Sequence, residues 1–373
     1  MSLIPDIFRN IEPASIRIYT GHVPVEIADL YPVLQTVTLQ VGRNQPGAGN
    51  LVLSLGRDEA GTWPVLDGGY FERWIPIRVA ADFGSYAEDV LWGHVVKIAP
   101  EYPQDRGGAK VTIEVQDQTI AMDRRQQTRD WGDSESRQPI SDRVIATSIA
   151  GEYGYRLAPT SGPGQEVRVL TQDKTDLAFL RERAEAVGYE FRLLMGEMYF
   201  GPLRLEGEPQ PVLLVYAGPD SNCLSFSVDE ESAVPDKAVT AAVDTEGSGE
   251  ASETTLAPDL PVLGSRSLAQ ASGASGIPEN TIRMRQEGDR SPEAGRMLAQ
   301  SKINLASLAI KAEAVIDSTA YGHVLLPGRL VRVDGVGLRY GGRFYVDTVE
   351  HSFDANGYTQ KAVLLKNGIE ELG

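Results

Sequence analysis

The chain has 373 residues, a formal net charge of −17 and a hydrophobic fraction of 42%. The length predicts about two to four domains, and the hydrophobic fraction excludes a wholly disordered chain. The acidic balance argues against broad nucleic-acid binding, because that binding relies on Lys and Arg to neutralise phosphates.

Cysteine usage and the N-terminal residues indicate the cellular setting. Cys223 is the only cysteine, so no intrachain disulfide is possible, and we expect a buried free thiol. The N-terminus carries no signal-peptide pattern, and no apolar run reaches the roughly 18 residues of a membrane span. We therefore predict synthesis in the bacterial cytoplasm without a signal peptide, followed by release in a particle.

Residues 15–118 have the alternating pattern of half-buried β-strands. Apolar and polar side chains alternate in Thr36–Val41 and again in Lys110–Val115. Turn-forming stretches separate the strands at 44–50, 67–69 and 105–108. This spacing predicts about six antiparallel strands in a small barrel or sandwich.

Two similar helix–strand units are predicted next. Ser141 is the expected N-cap of a helix that closes at Gly154, and Thr175 is the expected N-cap of a helix that closes at Gly188. Ser and Thr accept a free backbone N–H at a helix start, and glycine readily adopts the left-handed conformation that ends a helix. The equal spacing indicates either an internal repeat whose copies pack together or a coincidence of capping rules.

The composition then changes. A hairpin is predicted over 190–200, and strand-like sequence resumes at Pro211. Residues 244–280 are acidic and rich in Ser, Gly, Ala, Thr and Pro, which predicts a long linker or a loop ordered by a partner's surface. Ser291 is the expected N-cap of a helix that leads into a strand at 308–316.

The C-terminal residues predict a small antiparallel sheet that is closed or paired. Its three strands are Arg329–Val333, Arg343–Phe353 and Tyr358–Leu365, and the adjoining turns contain Gly328, Gly342 and Gly357. This sheet contains no catalytic motif, which indicates an assembly component rather than an enzyme.

No catalytic, cofactor-binding or metal-binding residue is predicted. The four histidines stand apart from any His, Cys or acid at metal-ligand spacing; they are His22, His94, His323 and His351. Gly335–Gly341 matches a dinucleotide-binding glycine pattern only in part, because a strand rather than a helix follows, and we interpret it as a hairpin turn. The sequence has no nucleophile elbow and no P-loop, and Cys223 has no identifiable catalytic histidine.

The aromatic and acidic residues leave two alternatives open. The four tryptophans all lie in the first part of the chain, at Trp63, Trp74, Trp92 and Trp131. Packing in a core or at a strand edge is the first interpretation, and a carbohydrate-stacking surface is the second. The abundant carboxylates also leave room for a glycosidase-like pair, although none stands in a motif.

Three stretches of the chain resemble the baseplate hub proteins of contractile phage tails, the late-control D family. The first runs from FERWIPIRVAADFG to VTIEVQDQ, the second is TDLAFLRERAEAVGYEFRL with its following hairpin, and the third contains LLPGRLVRV, GGRFYVDTVEHSF and GYTQKAVLL. Their order is also similar to that in the N-terminal half of the valine–glycine-repeat spike proteins of type VI secretion.

The resemblance implies a β-rich α+β fold with two tube-like antiparallel β-barrel domains and an intervening helix–strand domain. It places the first barrel at 1–120, the α+β domain at 121–210, and the second barrel at 211–373 with the acidic linker 244–280. Three chains would form a homotrimeric ring with pseudo-sixfold symmetry that joins a hexameric tail tube to a trimeric central spike.

The resemblance also implies a non-enzymatic structural protein, without a cofactor, in a virion tail baseplate or an equivalent injection particle. The expected partners are copies of the chain itself, the tail tube protein, a spike on a separate polypeptide and other baseplate proteins. DNA or an effector would pass through a neutral to acidic lumen without specific binding. The alternatives are a cell-wall hydrolase of the tail tip and a carbohydrate-binding tail-tip module.

Overall fold

The computed structural model describes residues 13–104, 107–132, 139–167, 169–232, 234–243, 251–271, 278–285 and 292–371. Strands dominate this part of the chain, and the largest sheet contains 13 of them, paired mostly antiparallel, with helices between the strands. The predicted β-rich α+β fold class is therefore confirmed. The residue ranges of the three domains stay predictions.

The N-terminal segment, residues 13–117, is built from strands, as its alternating pattern predicts. They are β1 (Ser15–Thr20), β2 (Val25–Glu26), β3 (Leu34–Gly42), β4 (Ala48–Ser54), β5 (Pro76–Asp82), β6 (Ala87–Glu101) and β7 (Lys110–Asp117), with a 3₁₀ helix (Ala28–Val33) and one helical turn, α1 (Pro64–Asp67). On β3, Val37 and Leu39 are fully buried, whereas Gln40 is exposed. The two-residue β2 is the strand that the pattern does not predict.

The middle module, residues 118–205, contains the two predicted helices. Its elements are α2 (Ile120–Asp123), β8 (Gln126–Gly132), β9 (Ile140–Ser141), α3 (Asp142–Glu152), β10 (Arg156–Leu157), β11 (Glu166–Val167), β12 (Val169–Thr175), α4 (Asp176–Val187), β13 (Glu190–Leu194) and β14 (Glu197–Gly201). The Ser141 and Thr175 hydroxyls each accept a hydrogen bond from the backbone N–H three residues further on, at 3.4 Å and 3.2 Å. These bonds satisfy donors that a helix start leaves unpaired.

The two helix–strand units pack on one another, as an internal repeat predicts. β14 lies between β10 and β13, the strands that follow the two helices. One cluster of buried side chains includes Ile145 and Ile149 of α3 with Leu177 and Leu180 of α4. The middle module therefore has a core of its own.

The C-terminal segment, residues 206–371, contains the remaining elements. They are β15 (Gln210–Leu214), β16 (Cys223–Glu230), β17 (Lys237–Val243), β18 (Ala251–Leu256), β19 (Arg266–Ser267), α5 (Leu268–Ala271), β20 (Thr281–Arg285), α6 (Pro292–Ser307), β21 (Ile310–Asp317), α7 (Ser318–Tyr321), β22 (Leu330–Asp334), α8 (Gly337–Tyr340), β23 (Gly342–Asp354), β24 (Gly357–Lys366) and β25 (Gly368–Ile369), with a 3₁₀ turn at Gly218–Asp220. β22, β23 and β24 are the three predicted closing strands. The connection of β22 to β23 contains the helical turn α8.

The prediction that 244–280 is a long linker or loop is wrong for part of that range. β18 lies within it and pairs antiparallel with β17, which also pairs in parallel with β20. Composition does not predict this strand, because small and polar residues dominate the stretch. The β-branched Thr254 and Thr255 are nevertheless suited to a β-strand when a neighbouring strand provides backbone hydrogen-bond partners. Beneath this three-stranded sheet, Ala299 and Ile303 of α6 pack on Ala238.

One long sheet joins the N-terminal and C-terminal segments. Its strand order is β16-β21-β24-β23-β3-β4-β7-β6-β5-β1-β2, and β22 and β15 branch from β23. The join is the antiparallel pairing of Val37–Gly42 with Thr348–Phe353. β23 has 13 residues, so its first part can pair with β22 and its later part with β3. The two predicted barrels are thus connected through backbone hydrogen bonds.

The C-terminal strands also return on themselves. The strands pair in the order β16-β21-β24-β23-β22-β15. The first and last strands of this order are also linked, because Asn222, the residue before β16, forms hydrogen bonds with β15. Its backbone N–H donates to the Leu214 carbonyl at 3.2 Å, and its side chain accepts from the Leu214 N–H at 2.8 Å and donates to the Val212 carbonyl at 3.0 Å. Linking the two ends of a strand path is how a sheet closes into a barrel.

Two glycines permit the curvature of the N-terminal segment. A Cβ at Gly49 would lie 2.0 Å from the Thr38 carbonyl oxygen, and a Cβ at Gly93 would lie 2.0 Å from the Gln116 carbonyl oxygen. Any other residue would push the adjacent strand away, which is the usual reason for glycine at a sharp bend of a barrel.

Candidate functional site

The long sheet has one buried face and one polar face, and the polar face is a candidate functional surface. Cross-strand partners place one row of side chains across five strands: Glu350, Gln40, Ala48, Gln116 and His94. A second row contains Ser352, Thr38, Asn50, Glu114 and Lys97. Residues that alternate with these rows, such as Leu39, form the core on the other side.

A recess of about 460 Å³ opens on this polar face. Polar side chains contribute to its wall from Thr38, Gln40, Asn50, Glu114, Gln116 and Glu350. No Lys or Arg of the described residues lines it. Because two carboxylates and several amides face solvent there, the recess presents a neutral to acidic wall.

Lys and Glu side chains form ion pairs near the recess and on the neighbouring C-terminal strands. Lys97 lies 2.5 Å from the Glu114 carboxylate, and on the C-terminal strands Lys361 lies 3.6 Å from the Glu313 carboxylate. Glu350 and Lys361 are direct cross-strand partners. Exposed pairs of this kind stabilise the fold weakly, and they leave the surface without a continuous basic stripe.

A second, buried polar site fastens the middle module to the long sheet. Glu190 of β13 is fully buried and accepts a hydrogen bond from the hydroxyl of Tyr345 of β23, also fully buried. Burial raises the pKa of Glu190 to about 7, despite the opposing charges of Arg192 and Arg43. Arg204 lies 3.9 Å from the other Glu190 oxygen, too far for a hydrogen bond.

Further bonds surround Glu190 at this junction. Arg192 donates to the Pro327 carbonyl, and Arg43 of the N-terminal segment forms an ion pair with Asp347 of β23. The Phe191 N–H donates to the Asn44 side chain at 3.3 Å. Side chains from all three parts of the chain therefore meet at the junction.

The predicted turn residues occupy the positions that their conformations favour. Left-handed φ angles occur at Gly154 (73°), Gly188 (72°), Gly328 (71°), Gly342 (91°) and Gly357 (117°). A Cβ at Gly328 would lie 1.8 Å from Arg192 Nη1, so this turn also makes room for the junction. Ser291, the predicted cap of α6, lies outside the described residues.

The histidines and the cysteine considered for chemistry lie in separate places in the described part of the chain. His351 is fully buried with its Nδ1 2.8 Å from the Tyr358 hydroxyl, and burial lowers its pKa to about 3. Burial raises the pKa of the Cys223 thiol to about 11. His323 lies 2.9 Å from Glu88. Among the described residues, no group of His, Cys, Asp or Glu could hold a metal ion.

The tryptophans do not form an exposed platform. Trp131 is buried, and Trp63, Trp74 and Trp92 are half-buried. Trp63 packs edge-on against Tyr102 at 5.1 Å between ring centroids. Sugar stacking needs an open ring face, so these contacts do not favour the carbohydrate-binding alternative.

Sequence reasoning missed the buried junction. Glu190 stands in the ordinary strand sequence EFRLL, and no motif marks it as a buried charge. Its hydrogen-bond partner Tyr345 and the nearby Arg43 come from distant parts of the chain. No helix of the described residues is long and apolar enough to cross a membrane.

One family model matches most of the chain. The family model described as "Alg8 N-terminal domain" matches residues 18–355. No curated protein has a matching sequence.

Three solved structures share the fold over nearly the whole chain. The 43 kDa tail protein of prophage MuSo2 from Shewanella oneidensis is 11% identical with a TM-score of 0.68, and the alignment covers 95% of this chain and 98% of that one. The tail protein from Neisseria meningitidis MC58 is 10% identical with a TM-score of 0.67, covering 96% and 98%. The c3393 protein of E. coli, described as a type VI secretion component similar to bacteriophage T4 tail proteins, is 10% identical with a TM-score of 0.54, covering 96% and 77%.

The predicted resemblance to hub proteins is thus confirmed at the level of the fold.

Proposed function

The chain belongs to the family described as the Alg8 N-terminal domain, and from its fold we propose that it is a structural hub of a phage tail or a related injection machine. The observation that carries the proposal is the long sheet, which joins the N-terminal and C-terminal segments and presents one polar face across both. The similarity to tail proteins over nearly the full length of both chains supports it.

In this proposal three chains form a homotrimeric ring. Residues 1–120 and 211–373 each supply a tube-like domain, and residues 121–210 lie outside the ring. Three copies of two similar domains present six similar surfaces, which suits a hexameric tail tube on one side and a trimeric central spike on the other. Other baseplate proteins would bind the outer surface of the virion tail.

The polar face would line the lumen of the ring. Its recess carries Glu114 and Glu350 and no described Lys or Arg, so a passing polyanion would find no continuous attraction. An apolar wall would bind unfolded effectors, and a basic wall would retain DNA. A neutral to acidic wall allows either cargo to pass.

The hub role is non-enzymatic and needs no cofactor. The raised pKa of Cys223 and the lowered pKa of His351 support this view, because neither group has the protonation behaviour of an activated nucleophile or a general base near neutral pH. Purified protein is therefore expected to leave peptidoglycan intact. Turnover abolished by one Asp or Glu substitution would instead support the hydrolase alternative.

Electron microscopy of the purified protein and of its parent particle tests the proposal directly. The expected result is a closed ring with threefold symmetry, in which the polar face of the long sheet lines the central opening. A single copy in the native particle, or a ring with the polar face outward, would contradict the proposed role.

A further inference from the structure

A small basic cluster stands at one edge of the polar face, in a chain whose net charge is −17. The cluster consists of His22, Trp74, His94 and Arg124. Trp74 precedes β5, His94 lies on β6, His22 follows β1, and Arg124 follows α2. Backbone bonds hold these segments together, since the Trp74 N–H donates to the Val95 carbonyl at 2.8 Å and the Gly21 N–H donates to the Pro76 carbonyl at 3.0 Å.

Arg124 is stacked but not ion-paired. Its guanidinium carbon lies 4.1 Å from the centroid of the Trp74 ring. Within the described chain, no carboxylate lies at ion-pair distance from Arg124, and its neighbour Asp123 accepts instead from the Thr175 hydroxyl at 2.7 Å. A guanidinium that stacks on an aromatic ring can still donate hydrogen bonds from its N–H groups. These N–H groups have the geometry to bind a carboxylate or a phosphate through two hydrogen bonds.

His94 contributes a second unused polar group. The side chain is half-buried, and its Nδ1 is buried without a hydrogen-bond partner among the described residues. Burial lowers the pKa of His94, and the charges of His22 and Arg124 lower it further. These three groups therefore lie close enough to repel one another when charged. A buried polar atom without a partner usually indicates a missing ligand or water.

The backbone of Trp74 is strained. Its φ angle is 69°, in the left-handed region that a bulky residue rarely adopts. Such strain is commonly found at functional sites, where a side chain must be aimed at a ligand. Here the strained backbone presents the indole ring to Arg124.

We propose that the basic cluster binds an oxyanion group, a carboxylate or a phosphate, between Arg124 and His94. The anion would accept from the free guanidinium edge and from the ring of His94, and its negative charge would favour the protonated form of His94. The charged residues next to Trp74 and Arg124 in the sequence are Glu72, Arg73, Asp123 and Arg125, all exposed. This inference concerns the chain itself and does not depend on the ring.

Titration calorimetry on the full chain tests the proposal with two probes, inorganic phosphate and a triglutamate peptide. We expect saturable binding of at least one probe, tighter at about pH 5 than at about pH 8, because the pKa of His94 is lowered and its protonation at acidic pH adds a donor and a positive charge. Binding of phosphate alone identifies a phosphate ligand, and binding of the peptide alone identifies a carboxylate ligand. Absence of saturable binding for both probes overturns the proposal.

Variants separate the site from general charge effects. Arg124→Gln is expected to weaken binding about tenfold or more, and Arg124→Lys, which keeps the charge without the planar fork, severalfold. The matched control is Arg156→Gln, an equal charge change at an exposed residue of β10, which should bind as the parent does. His94→Gln should remove most of the pH dependence. Equal weakening by the Arg124→Gln and Arg156→Gln variants would overturn the site assignment.

Discussion

The hydroxyl of Tyr345 donates a hydrogen bond to the carboxylate of Glu190, and both side chains are fully buried. Tyr345 belongs to the longest strand of the closing sheet, and Glu190 opens the first strand of the hairpin in the middle module. The bond therefore joins two parts of the fold that are far apart in the chain. Its energetics can be tested by substitution and by pH.

Tyr345→Phe should destabilise the protein by about 1–3 kcal/mol. The change keeps the ring but leaves one Glu190 oxygen buried without its donor, and that desolvation cost is not recovered. Chemical denaturation measures the loss. Tyr340→Phe is a suitable control, since the Tyr340 hydroxyl bonds to Glu230 at the surface. Equal losses in the two variants would contradict a special role for the buried bond.

Stability should fall as the pH rises from about 4.5 to about 7. The pKa of Glu190 is raised by burial from 4.5 to about 7, so in this window the folded state binds more protons than the unfolded state. The stabilisation is fully present below pH 4.5 and is lost as the pH passes through 7, with a magnitude on the order of 3 kcal/mol.

The Glu190→Gln variant provides the control for this pH effect. It retains an acceptor for Tyr345 and cannot ionise, so the difference between its unfolding free energy and that of the parent should change with pH in the same window. A constant difference from pH 4.5 to pH 8 would show that Glu190 is not the titrating group.

Gly328→Ala should destabilise the fold much more than Gly357→Ala. Both glycines have left-handed φ angles, so both substitutions strain the backbone. A Cβ at Gly328 would in addition meet Arg192 at 1.8 Å, whereas a Cβ at Gly357 would meet open space. We expect roughly 1 kcal/mol for Gly357→Ala and several kcal/mol for Gly328→Ala in thermal or chemical unfolding. Similar losses of stability in the two variants would contradict the expected clash between a Cβ at residue 328 and Arg192.

Cys223 should react slowly with iodoacetamide in the folded protein at about pH 8. Its thiol is buried and its pKa is raised to about 11, so the reactive thiolate is rare. Mass spectrometry should show rapid labelling only after unfolding in denaturant. Fast labelling of the native chain would mean that the start of β16 opens readily.

The sequence alone was sufficient to predict the strands and helices that are marked by patterns of neighbouring residues. Period-two alternation marks β3 and β7, and hydroxyl caps and glycines set the limits of α3 and α4, because these features depend on contacts within a few residues. The stretch around β18 was misread for the same reason. β18 forms a strand because its backbone pairs with β17, and this pairing cannot be predicted from the composition of the stretch.

Only the tertiary structure decided how the parts join. The pairing of β3 with β23 and the burial of Glu190 between Arg43, Arg192 and Tyr345 bring together residues that no local pattern relates. Backbone ladders and buried charges depend on which surfaces meet in space. The sequence by itself therefore determined a β-rich chain with helices in its middle part, and the fold decided where its polar face, its junction and its basic cluster lie.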